Sequence, residues 1–515
     1  MTRSDVESGF ARVFGAQPAL PRAHLVSVEC DIIRGLHAFT VVGLPDKAVE
    51  EAKDRIAAAI KNSPGEFESP KRSNKKIVFS LAPAELKKEG AVFDLPLALS
   101  YLLASGQLAF DPTGKLFAGE LALDGTMRPV RGALSIALCA RDEGFTELFI
   151  PEENCAEASL VSGITIFPVK TFYDAVAHVS EHAHTITPYV ASRTQRVHEE
   201  SGVSLSDIRG QESAKRGLEI AAAGRHNIAL YGPPGTGKTM LARTAVALLP
   251  DLSESEMIEV TAIHSFAGAT KGAVTRPPFR SPHHTSSYAS LIGGGAIPRP
   301  GEVTLAHRGL LFLDEFPEFH RDVVNALREP LEDAQVSVAR ARGSSTFPAN
   351  FMLVAALNPC PCGRYGSRDC TCMPHAIEKY RRKISGPVAD RIDMWVQVGD
   401  MPPENLAIKK KQADDQTAKA RERILYARKC QHERFKNSKG VSTNSDMRPK
   451  EIESLAGLSL KAEETLMQAA RTMKLSARGY HRTIKLARTI ADLSGSETIE
   501  PAHMLEALQY RQRDL

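Results

Sequence analysis

Gly232-Pro233-Pro234-Gly235-Thr236-Gly237-Lys238-Thr239 fits the spacing G-x-x-x-x-G-K-[ST] in full. It follows Asn227-Ile228-Ala229-Leu230-Tyr231, which reads as a short buried strand. It precedes Met240-Leu241-Ala242-Arg243-Thr244-Ala245-Val246-Ala247, which reads as a helix. Strand, glycine-rich loop and helix in that order make a phosphate site rather than a chance turn. The glycines let backbone N–H groups converge on a triphosphate at the positive end of the following helix. Lys238 would reach the β- and γ-phosphates of ATP and the Thr239 hydroxyl would sit on Mg²⁺. Met240, at the start of the helix, is counted with this nucleotide-binding run.

Two further apolar runs carry the partners such a loop needs. Leu310-Leu311-Phe312-Leu313 ends in Asp314-Glu315, about 75 residues after the loop. Asp314 would hold Mg²⁺ and Glu315 would orient and polarise the attacking water, because phosphoryl transfer needs mainly positioning and charge neutralisation. Phe351-Met352-Leu353-Val354-Ala355-Ala356-Leu357 is tipped by Asn358. Its amide either hydrogen-bonds the water or the γ-phosphate, or begins a turn. Beside the first two motifs the phosphate role is preferred.

At 515 residues the chain is too long for one core, and roughly two to four domains are expected. Its apolar fraction of 43% and charged fraction of 24% are those of ordinary globular protein. A net charge of +4 neither demands nor excludes nucleic acid, since a local basic surface suffices. No run approaches the roughly 18 apolar residues of a membrane span, and the stretch Met1-Thr2-Arg3-Ser4-Asp5-Val6-Glu7-Ser8 has no apolar signal core. A cytoplasmic location, no membrane partner and reduced cysteines are expected. Strand-like runs at 25–30, 39–42, 76–80 and 147–150 mix with helical stretches to give an α/β domain over 1–180. A polar segment at 181–205 reads as a linker or extended arm. Alternating strands and helices over 206–402 predict a parallel sheet covered on both faces. Apolar residues at helical spacing predict a helical domain over 403–515.

The three nucleotide motifs together resemble those of an AAA+ ATPase. Arg276-Pro277-Pro278-Phe279-Arg280-Ser281-Pro282-His283-His284, Gly293-Gly294-Gly295, Leu305-Ala306-His307-Arg308-Gly309 and Asn358-Pro359-Cys360-Pro361-Cys362-Gly363 narrow the resemblance. They are similar to the magnesium-chelatase-like branch, specifically the ComM/YifB family, and the likeness covers nearly the whole chain. It implies a helix-2 insert within 261–305 and a hairpin at 336–347, both lining a central pore, and a C-terminal helical lid. It makes Arg391 the arginine-finger candidate and Arg478 the second sensor, reaching the γ-phosphate of its own or a neighbouring subunit. Arg482, one helical turn on, is the substitute. A finger supplied in trans obliges oligomerisation, and the family implies a homo-hexameric ring.

Cys360, Cys362, Cys370 and Cys372 form C-x-C-x₇-C-x-C, half of the chain's cysteines within thirteen positions. Four soft thiolates favour a closed, tetrahedral, structural Zn²⁺ site. The other readings are unligated thiols or a redox pair. Cys30, Cys139, Cys155 and Cys430 are scattered and read as inert.

In the first domain, 81–96 and 119–129 resemble the Lon proteolytic domain, of the ribosomal-S5-domain-2-like α/β fold. The serine of the Lon dyad falls on Asp94 and its lysine on Ile136. Neither residue can do that chemistry, so the likeness implies the fold without proteolysis. Lys71, Arg72, Lys75, Lys76, Lys87 and Lys88 make 71–88 basic, either a solvated face or a phosphate-backbone track.

Two functions from different classes follow. One is a ring-shaped DNA motor or helicase that promotes branch migration during natural transformation, with Arg280, His283, His284, Arg340 and Arg342 as candidates for the DNA. Contacts of this kind go mainly to phosphates. The other is a protein remodeller of chelatase or chaperone type.

Overall fold

A computed structural model describes residues 9–20, 22–72, 75–180, 185–190, 204–269, 272–294, 299–340, 343–365, 368–383, 386–399 and 416–511. It divides into two compact units, Met1–Arg196 with Glu254–Val274, and Val197–Ser253 with Thr275–Leu515.

The first unit is built on a seven-stranded mixed sheet in the order Ala38–Val42, Lys75–Ala82, His24–Arg34, Gly9–Gln17, Lys115–Phe117, Glu147–Pro151, Thr165–Val169. The antiparallel part is long and in strict register, from Gly9 opposite Ile32 to Gln17 opposite His24. Alternation along Lys75–Ala82 sends Ile77, Phe79 and Leu81 into the core, as a period of two requires. Helices Lys47–Asn62, Asp94–Ala104 and Ala133–Asp142 supply much of the rest of that core. Asp46 starts the first of them by accepting the Val49 N–H at 2.9 Å.

The two positions that the Lon resemblance assigns to nucleophile and base are both closed to solvent, Asp94 and Ile136 being 0% exposed. Asp94 is held by Arg55 in a two-pronged pair, Nε to Oδ2 at 2.7 Å and Nη2 to Oδ1 at 2.9 Å, and by the Leu121 N–H at 3.1 Å. Burial pushes its carboxyl up to about 6, against the pull of Arg55. This is the geometry of a structural ion pair with its lone pairs satisfied.

The continuous 206–402 core expected from sequence is interrupted. Helix Glu254–Ala267 belongs to the first unit: Val260, Ala262 and Ile263 are buried, Ala262 joins the first core, and Ser265 Oγ accepts the Gly132 N–H at 3.1 Å. Leu252 N–H donates to Thr275 O at 3.2 Å, so the excursion leaves and re-enters the second unit at one point. Within the expected linker, Tyr189 N–H donates to Ile166 O at 2.8 Å and Ile186 N–H to His178 Nδ1 at 3.0 Å. Residues 181–184 and 191–203 of that linker, and 400–415 ahead of the C-terminal helices, lie outside the described residues.

The second unit has a five-stranded, wholly parallel sheet in the order Phe279–Arg280, Leu310–Leu313, Met352–Leu357, Ile228–Tyr231, Met394–Gln397. Its central strands are buried on both faces, which explains their unbroken apolar runs. The C-terminal helices do not form a separate core: Ala420, Ile424, Leu466, Leu486 and Ile490 pack with Leu218, Leu230 and Leu241 of the nucleotide fold. Arg488, 1% exposed, is met by Asp492 Oδ1 at 3.1 Å and by the carbonyls of Ala456, Ser496 and Glu497 at 3.2, 2.6 and 2.8 Å. A charge so deep is tolerated only with such partners.

Restoring the Lon-type serine by Asp94→Ser leaves Arg55 without its carboxylate. We expect a loss of about 3 kcal/mol in denaturant unfolding of the first unit and no gain of peptidase activity.

Candidate active site

Three neighbouring parallel strands end together. Gly232 follows Ile228–Tyr231, Asp314 follows Leu310–Leu313 and Asn358 follows Met352–Leu357, so all three fall on the carboxyl edge of the sheet, where such sheets bind ligands. Gly232 is obligatory because a Cβ there would lie 2.0 Å from Val398 O. Helix Lys238–Leu248 starts at Gly237 with no side-chain cap, leaving its first N–H groups for an anion.

Lys238 is 9% exposed, and its Nζ donates to Gly232 O at 2.8 Å, Pro233 O at 2.7 Å and Asn358 Oδ1 at 3.1 Å. The loop lysine and the Asn358 amide therefore meet directly. Thr239 Oγ1 donates to Asp314 Oδ2 at 2.9 Å. A hydroxyl and a carboxylate side by side are hard oxygen donors of the kind Mg²⁺ takes, so the residues present fit the ion.

Glu315 adopts a left-handed backbone, φ +50°, and its N–H donates to Asp314 Oδ1 at 2.9 Å. That conformation costs about 1–2 kcal/mol for a residue with a Cβ, and it accompanies a carboxylate turned to solvent, 56% exposed. Glu315 Oε2 lies 3.3 Å from His284 Nδ1, and the His284 ring lies against that of His283, tilted by 33° with centroids 4.1 Å apart. Of the residues expected on DNA, His284 thus sits against Glu315. Arg280 has an internal partner too, a two-pronged pair with Glu302 whose Nη2 arm measures 2.7 Å. The hairpin ahead of Asn358 consists of Gln335–Arg340 and Gly343–Pro348, with Val336 opposite Phe347. Arg340 ends its first strand, and Arg342 lies outside the described residues.

Arg391 and Arg478 lie elsewhere. Both line a polar cavity of about 630 Å³ together with Asn227, Glu332, Phe351 and Asp393. Asn227, Phe351 and Asp393 immediately precede the strands Ile228–Tyr231, Met352–Leu357 and Met394–Gln397, so this cavity sits at the amino edge of the sheet. Arg391 is ion-paired with Glu332, and Arg478 stands 3.9 Å from the same carboxylate. Arg391, followed by Arg478, holds the Glu332 carboxyl below its usual range. Arg482 is committed to the backbone, donating to Ile392 O at 2.9 Å and Asp390 O at 2.7 Å. The Arg478 side chain is 62% exposed, which favours it over Arg482 as the sensor. Glu332 was missed from sequence. It sits near the end of the short helix Arg328–Asp333, with no motif to single it out.

Cys360, Cys362, Cys370 and Cys372 gather their sulfurs within 4.8 Å of one another. The Cys360–Cys362, Cys360–Cys370 and Cys362–Cys370 Sγ separations are 3.4, 3.9 and 3.7 Å. Four thiolates about 2.3 Å from one tetrahedral ion stand about 3.8 Å apart, so this cluster could hold a structural metal.

The family model described as magnesium chelatase, subunit ChlI, matches residues 204–406, that for subunit ChlI of Mg-chelatase matches 28–154, and that for the ChlI C-terminal region matches 414–511. The chain is 41% identical over 495 residues to the competence protein ComM of Haemophilus influenzae, covering 95% of each. It is 41% identical over 492 residues to the uncharacterized protein YifB of Escherichia coli, covering 95% of this chain and 94% of that one. Over 182 residues, 31% of this chain and 33% of the relative, it is 31% identical to Lon protease 2 of Bacillus subtilis. With its phosphate loop, paired acids and Asn358 set on a parallel sheet, this chain belongs to the magnesium-chelatase-like ComM/YifB family of AAA+ proteins.

Proposed function

We propose that this chain is the subunit of a homo-hexameric, ATP-hydrolysing ring that translocates on DNA in the cytoplasm and drives branch migration of recombination intermediates during natural transformation. The observation that carries this reading is the separation of Lys238 from Arg391 and Arg478 by the length of the sheet. Ile228–Tyr231 alone spans about 13 Å. Each chain therefore offers a phosphate loop at one edge and two arginines at the other, the arrangement a shared site needs. Arg391 and Arg478 act on a neighbour's γ-phosphate, where a guanidinium offsets charge on the transferring group. Lys238 exchanges its carbonyl partners for phosphate oxygens, Thr239 and Asp314 hold Mg²⁺, Asn358 orients the water, and Glu315 polarises it. A structural Zn²⁺ occupies the four-cysteine cluster.

The DNA assignment rests on the resemblance to the ComM/YifB family and on the name of the Haemophilus relative, a competence protein. A chelatase-type protein remodeller is the second reading, supported by the three chelatase models. It requires hydrolysis indifferent to DNA.

Lys238→Ala is expected to lose nucleotide hydrolysis, and Glu315→Gln to keep ATP bound while kcat falls by about 100-fold or more. Steady-state phosphate release with parallel nucleotide-binding titrations checks both. Arg391→Ala should bind ATP without hydrolysing it, and mixing it with Lys238→Ala subunits should restore part of the activity. Mixtures as inactive as their components would remove the in-trans assignment. Branched or double-stranded DNA should stimulate hydrolysis in low salt, with binding falling steeply as salt rises. ATP-loaded protein that binds no DNA in low salt would leave the remodeller.

A further inference from the structure

We propose that the four-cysteine cluster is a positioning element of the ATPase: its metal seats the 360–372 knuckle against the phosphate loop and so sets nucleotide affinity. This rests on the ATPase reading above and on zinc occupancy, and it adds what the metal does.

The knuckle is linked to the nucleotide machinery in three ways, one by direct contact and two through the chain on either side of it. Its first cysteine, Cys360, is fully buried two residues beyond Asn358, whose Oδ1 accepts from Lys238 at 3.1 Å. Gly363 directly follows the first cysteine pair and has φ +78°, and its backbone abuts the phosphate loop: a Cβ built there would stand 2.4 Å from Pro234 Cδ. Only a glycine fits this contact, on grounds of both backbone angle and space. Two residues after Cys372, helix Pro374–Lys383 begins, and its Lys383 Nζ pairs with Glu318 Oε2 at 2.9 Å, three residues beyond Glu315. One small loop thus abuts the phosphate loop, adjoins the Asn358 amide and leads into a helix tied to the segment after the paired acids.

Such a loop has no apolar core of its own to hold this shape. Among the described residues of 360–372, Cys360 and Gly363 alone are buried. What closes the loop is the convergence of four sulfurs at 3.4 to 3.9 Å for the pairs given above. Thiolates that close repel one another unless a cation lies among them, and a tetrahedral site with all four positions filled by sulfur has none left for substrate. The metal is therefore structural, and its effect on catalysis passes through Pro234 and Asn358. Loss of a residue that orients a metal's ligands typically costs about 10–100-fold in metal affinity or activity, and loss of this metal, which orients Pro234 and Asn358, is expected to act on nucleotide affinity at the lower end of that range.

The test uses the full chain and four measurements: zinc per chain by elemental analysis, affinity for a fluorescent ADP analogue, steady-state ATPase, and thermal unfolding. We expect close to one zinc per chain in the unaltered protein. Cys370→Ser should lose the metal and weaken nucleotide affinity by about 10-fold. Gly363→Ala should keep the metal and weaken affinity comparably, because it disturbs the contact without touching a ligand. If Cys370→Ser fails to fold, stripping zinc from the folded protein with a chelator and restoring it gives the same comparison. Unaltered protein that takes up no zinc even when supplied with it overturns the metal. Zinc bound, with nucleotide affinity unchanged by its removal and by Gly363→Ala, overturns the coupling while leaving the metal. Failure of the unaltered protein to bind nucleotide at all would instead strike the ATPase reading.

Discussion

A lysine ammonium kept from water must be met by acceptors, and Lys238 gathers its acceptors from separate parts of the fold. Two are carbonyls of its own loop and the third is the amide at the tip of the adjoining strand. Those groups converge only if Ile228–Tyr231 and Met352–Leu357 run parallel and end level, as the pairing of Tyr231 with Leu357 ensures. The same alignment brings Asp314 within 2.9 Å of Thr239. The parallel sheet is thus less a scaffold for the site than a condition of placing one positive charge. It also explains the crowding at Gly232, where the backbone runs against Val398 O and leaves no room for a side chain.

The amino edge of the sheet is organised by the opposite problem. There Arg391 and Arg478 face a cavity, and Glu332 supplies a common partner for both. Arg482, which helical spacing alone makes an equal of Arg478, is tied to two carbonyls and so belongs to the wall. Around Glu315 a comparable economy holds. Its strained backbone turns the carboxylate outward, and His284 meets it there. The segment between the phosphate loop and the paired acids thus meets Glu315 through the His284 side chain.

The nucleotide motifs and the parallel sheet are legible because they are local: a loop of eight residues, apolar runs, a pair of acids at a strand end; the pre-Asn358 hairpin follows only from the family resemblance. Partnerships across the chain are not legible. Arg280 looks like a solvent-facing basic residue until Glu302, 22 positions on, is found bound to it. Asp94 reads only as a substitute for the Lon serine that cannot do its chemistry until Arg55, 39 positions earlier, is seen to pair with it. Helix Glu254–Ala267 shows the same limit at the level of domains. Its buried residues, Val260 to Ser265, run consecutively rather than along one face, so periodicity cannot say which core receives them.

That helix has a consequence for how the family can be taken apart. A polypeptide stopped at Arg196 would carry the whole seven-stranded sheet yet lack the helix that contributes Ala262 to its core and Ser265 to the Gly132 amide. It would expose an apolar face that the intact chain covers. The Lon-like unit is therefore not a module that one cut, one fusion point or one recombination event can lift out. Its heredity is bound to the ATPase, because part of its interior is written between the phosphate loop and the paired acids.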